Sequence, residues 1–95
     1  MISYEKLRDM GRDSGLDVIN LFVDYCLRNE LFVCIDDWLK ELDLVKLTDH
    51  HLIGVLTATL PAKNKLHVRS AFYDNVVRLF KIRGTWEPDL LKGLE

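Results

Sequence analysis

An all-α fold is what these 95 residues predict, on three observations. Apolar residues recur at helical spacing through most of the chain. One long charge-free run is bracketed by a helix start and a helix stop. Apolar–polar alternation never lasts long enough to compete with the helical period. The expected architecture is a single α-helical domain over residues 1–95, a compact bundle of five or six helices. At 48% hydrophobic residues, such a chain can form a core without disulfide or metal staples.

In chain order, Ser3 caps a short first helix over Tyr4–Met10, which Gly11 ends. Ser14 caps the next. From Leu16 to Asn29 the stripe is Leu16, Ile19, Phe22, Val23, Cys26 and Leu27, with Asp17, Asn20, Asp24 and Arg28 opposite. A third helix over Leu31–Leu42 carries Leu31, Phe32, Ile35, Trp38, Leu39 and Leu42 on one side. Asp36, Asp37, Lys40 and Glu41 are expected on its solvated side.

The fourth is the charge-free run His50–Ala62, thirteen residues without one Asp, Glu, Lys or Arg in a chain that is 29% charged. Thr48 supplies its cap, Asp49 suits the positive end of the helix dipole, Leu47 and Leu52 have staple spacing, and Pro61 stops it. The fifth and longest, Leu66–Arg83, ends at Gly84, and a small last helix covers Pro88–Leu94 with Trp86 folded back over the core.

Offsetting the chain by 34 residues superposes several apolar positions, such as Phe22 on Leu56 and Leu42 on Val76. Thirty-four is the period of tetratricopeptide helix pairs, so two stacked helical hairpins are one arrangement of this bundle. The Trp-x2-Leu-Gly-x2-Tyr signature of such pairs is missing, which favours a generic bundle.

Charge is unevenly laid out along the chain. Residues 1–60 carry six Lys or Arg against eleven Asp or Glu, residues 61–84 six against one, and residues 85–95 one against three. The basic third quarter holds Lys63, Lys65, His67, Arg78 and Lys81, which a helical wheel and the preceding turn place toward one outer face. Several cations on one surface are what phosphate binding needs, and an acidic protein partner would meet them equally well. Arg69 falls off that face and is expected against the ring of Phe72 or Tyr73.

Catalytic patterns are absent. His50 and His51 are neighbours pointing about 100° apart, so they do not converge on an ion. Asp24, Asp36 and Asp37 lack the Glu-x-x-His partner of helical metal–carboxylate sites. No Gly-x-Ser-x-Gly and no phosphate-binding glycine run occurs. Cys26 and Cys34 match no zinc or redox spacing and are expected reduced. No metal or cofactor is implied. The amino terminus has no apolar signal region and thirteen residues cannot span a bilayer, so a cytoplasmic protein without membrane association is expected.

Gly54 and Ala58, with His51, form a small-residue side of the charge-free helix on which another backbone can come close. Either a helix of this chain lies there or a partner helix does. The function expected is therefore a small non-catalytic protein–protein interaction module (adaptor, regulator or assembly subunit) whose partner is another protein or a second copy forming a homodimer. The alternative is a nucleic-acid-associated protein that binds phosphates through the surface from Lys63 to Lys81.

Overall fold

A computed structural model describes residues 16–95. The helix expected over residues 4–10, and the Ser14 cap, lie outside them. Four α-helices follow: α1 Leu16–Arg28, α2 Phe32–Glu41, α3 Asp49–Thr59 and α4 Arg69–Arg83, with 3-10 segments at Leu44–Lys46 and Leu60–Lys65. No strand occurs among the described residues.

In α1 the stripe Ile19, Phe22, Val23 and Cys26 is buried, while Asp24 and Arg28 pair at 3.0 Å on the outside. The helix closes with paired bonds, Glu30 N–H to the Leu27 carbonyl and Leu31 N–H to that of Cys26, a Schellman ending. This places Glu30 at φ 55°, in the left-handed region. The Asn29 side chain donates at 2.8 Å to the Tyr25 carbonyl, which also accepts the Asn29 backbone N–H at 3.2 Å. In α2, Ile35, Trp38 and Leu39 are buried, and the Trp38 ring lies 4.9 Å from that of Phe22 at a tilt of 53°.

The start of α3 follows the expected capping: Thr48 accepts from the His51 backbone N–H at 3.1 Å, and Leu47 and Leu52 are both buried. Its α-geometry stops at Thr59, two residues before Pro61, and the chain tightens into 3-10 form instead of ending in an open turn.

Two expectations about α4 and the tail are corrected. The α4 helix starts at Arg69 and not Leu66, because the Asp36 carboxylate accepts the backbone N–H of His67 at 2.9 Å and of Val68 at 3.1 Å. Asp36, expected in solvent, is only 5% exposed and caps the helix from another element. No helix forms over residues 88–94. That stretch runs as successive turns, Leu90 N–H to Glu87, Lys92 N–H to Asp89 and Leu94 N–H to Leu91, with Gly93 at φ 84°. Seven residues are too few to nucleate a helix unaided, and the Leu94 carbonyl bonds to Arg69. Leu91 is buried, and Trp86 is half-buried against the core as expected.

The helices pack as α1 on α2 and α3, and α4 on α2 and α3. One continuous core results, from Phe22, Trp38, Leu52, Leu56, Val76 and Phe80. The radius of gyration, 12.7 Å, is close to the ~12 Å of a compact chain of this length.

Candidate interaction surface

The face of α4 turned away from the core meets the connector between α2 and α3. The 3-10 turn Leu44–Lys46 in that connector has no side-chain cap. Leu42 and Leu47 at its ends are buried and Leu44 packs against the core, and one polar side chain ties it to α4. The Arg83 guanidinium, at the end of α4, ion-pairs with Asp49 at 2.7 Å. It also donates to the carbonyls of Leu47 at 2.8 Å, Val45 at 3.1 Å and Leu44 at 3.3 Å. The hydrogen bond from Arg83, backed by its charge, pulls the Asp49 carboxyl below the usual carboxylate range.

Pinned this way, the connector projects Val45 outward, 73% exposed, beside Ile82 of α4, 75% exposed. Between them lies a shallow, open groove of about 340 Å³ floored by the half-buried Leu44 and Leu79 and by Leu42. A second hollow of about 260 Å³ shares Leu42, Leu44 and Asn75 and continues it toward Val68 and Ala71. The rim bears one charge of each sign: Asp43 on the connector and Arg78 on α4. Asp43 has only a long contact to Lys46, at 3.9 Å.

Apart from Arg78, the residues singled out in the sequence fall elsewhere. Ala58 borders a shallow depression with Asn20, Leu21 and Asp24, so α1 lies beside the Ala58 end of the small-residue side. Gly54 and His51 are half-buried, and the His51 ring is engaged with its own cap, Nδ1 to the Thr48 hydroxyl at 2.6 Å. The His50 and His51 rings stand 6.3 Å apart and edge-on, and no cluster of three metal-ligating side chains exists among the described residues.

The basic residues are exposed and have separate neighbours. Lys63 reaches the Glu95 carbonyl at 3.5 Å beside a polar cleft shared with Tyr73, and Lys65 stands over the Phe32 ring at 5.4 Å. His67 is exposed before α4, Lys81 covers Trp86 at 5.7 Å, and only Arg78 reaches the groove. Arg69, expected against an aromatic ring, is 2% exposed and bonds to the Thr59 hydroxyl at 2.9 Å and to the Leu56 and Leu94 carbonyls, both at 2.7 Å. It ties the end of α3 and the tail to α4, and burial lowers its pKa from the ordinary guanidinium value.

Sequence reasoning missed four side chains here. Arg69 shares the 3-4-4 spacing of the buried Phe72, Val76 and Phe80, which was a usable signal. Asp36 is four residues after Phe32 and three before Leu39, so it borders that stripe. Ile82 and Val45 carry no periodic mark, because an apolar residue off the stripe reads only as scatter.

No protein family, curated protein or solved structure matches this chain. No helix among the described residues is long and apolar enough to cross a membrane.

Proposed function

We propose that the chain is a non-catalytic protein–protein interaction module that docks its partner in the groove between α4 and the α2–α3 connector. The observation that carries this is the pair Val45 and Ile82, two large aliphatic side chains held almost fully in water at the lips of an apolar hollow. Single exposed aliphatics are ordinary, but two flanking a concave apolar floor on a pinned backbone are what a docking surface requires. The Arg83 clamp supports the same reading, since a preformed connector has little left to lose in conformational entropy on binding. This moves the site away from the Gly54–Ala58 side, whose Ala58 end α1 flanks. The phosphate-binding alternative loses its footing where Lys63, Lys65 and Lys81 turn to separate neighbours.

A photo-cross-linking amino acid placed at Ile82 in the native cell tests it. A discrete adduct is expected from position 82 and from position 45. None is expected from Ser70, which is exposed on the same helix but away from the groove. Adducts from all three positions alike, or from none, would show that the groove is not a docking surface.

A further inference from the structure

The groove has a property that narrows its occupant. A two-fold interface brings one patch against itself, so the patch must be self-complementary in both shape and charge. This one offers projecting knobs, Val45 and Ile82, next to a hollow floored by Leu42, Leu44 and Leu79. Its rim carries a carboxylate and a guanidinium on opposite walls, Asp43 on the connector and Arg78 on α4, and Lys40 lines the continuing hollow. A partner of a single charge sign would satisfy one wall and oppose the other, whereas a second copy turned by a two-fold satisfies both.

We propose that the occupant is a second copy of this chain, docked so that Ile82 of each enters the hollow of the other and Asp43 of each meets Arg78 of the other. This rests on the docking role of the groove given above. Asp43 is available for the exchange. Its contact to Lys46 is long, both side chains are more than half exposed, and such surface pairs contribute little. The connector needs no rearrangement, because Arg83 already holds it. The two hollows together are small, so the dimer belongs to the weak class that forms and dissociates readily.

Sedimentation equilibrium on the purified full chain decides the matter. The weight-average mass is expected to rise from 11.1 kDa toward twice that value between about 10 and about 500 μM protein. Asp43→Arg and Arg78→Asp are each expected to weaken association about tenfold or more by placing like charges opposite one another. Combined, D43R and R78D reverse both contacts and are expected to restore association to within about threefold of the original. Ile82→Asp is expected to abolish it. Circular dichroism verifies that each variant is folded, and all three positions are solvent-accessible on the groove. A mass that stays at 11.1 kDa throughout overturns the proposal, as does a folded double variant no better than the single ones. If that monomer still gives an adduct from Ile82 in the cell, self-association has failed while the docking role stands. If the adduct is missing too, both have failed.

Discussion

Glu30 and Gly84 occupy the same backbone position in two helix endings, and only one of them suits it. Each is the left-handed residue of a Schellman pair, at φ 55° and 76°. Glycine reaches that region freely, whereas a side chain there costs about 1 kcal/mol. Glu30→Gly is therefore expected to stabilise the fold by about 0.5–1 kcal/mol. Gly84→Ala should lower stability by about 1 kcal/mol, by strain alone, since an added Cβ would meet no atom within 4 Å. Urea denaturation measures both, and a destabilised Glu30→Gly protein would contradict the strain assigned to α1. The cysteines give a second test at this scale. Burial, with a smaller contribution from nearby Cys34, pushes the Cys26 thiol up to about 12, so it stays protonated and unreactive while the fold holds. Because that value is raised, its contribution to stability is complete below the ordinary thiol pKa and is lost as pH climbs toward 12. A thiol reagent at pH ~8 should modify Cys34 promptly and Cys26 only as fast as the core opens. Equal rates for the two would mean that Cys26 is not sealed.

At the scale of elements, three polar side chains add specific ties to the apolar core that joins the helices. Asp36 caps α4 from α2, Arg69 ties α3 and the tail to α4, and Arg83 ties the connector and Asp49 to the end of α4. Asp36→Ala would strand two backbone donors at the start of α4, at a cost of about 2 kcal/mol, readable in the same denaturation experiment. For Asp49 the sign of the pH effect is fixed by its lowered pKa. The ion pair contributes fully above the ordinary carboxylate value and is lost as pH falls through the lowered one. Below about pH 4 the original protein should therefore lose stability more steeply than Asp49→Asn, and parallel curves would show that the clamp contributes nothing. These ties also mark what the sequence could reveal. The stripes of α1 to α4 were legible because helical burial repeats every three to four residues, and Thr48, Leu47 and Gly84 because caps act within one turn. For Asp36 and Arg69 the spacing marks the position but not the burial, because the partners that make it tolerable lie 31 and 13 residues away, at distances no local pattern encodes. The groove was the least visible part, since it exists only where two elements meet.

Over the whole molecule, folding redistributes the charge that the linear sequence segregates. The six Lys and Arg of residues 61–84 are a block in the chain but not in space. Arg69 is buried, Arg83 is spent on the connector and Asp49, Lys81 and Lys65 stand over aromatic rings, and Lys63 faces the tail. Phosphate binding scales with the number of charges that can sit on one backbone at once, and a net charge of −2 opposes approach. The expected result is that a fluorescent 20-base-pair duplex in about 50 mM salt shows no saturable anisotropy change up to about 100 μM protein. The combined Lys63→Glu, Lys65→Glu and Arg78→Glu variant should be indistinguishable from the original in that assay. The experiment is set at low salt on purpose, since any true phosphate surface is strongest there. Saturable binding that weakens steeply with salt and disappears in the triple variant would replace the docking role with a nucleic-acid one. Binding confined to the groove would instead be insensitive to the duplex and lost with Ile82→Asp alone, so the two outcomes cannot be mistaken for each other.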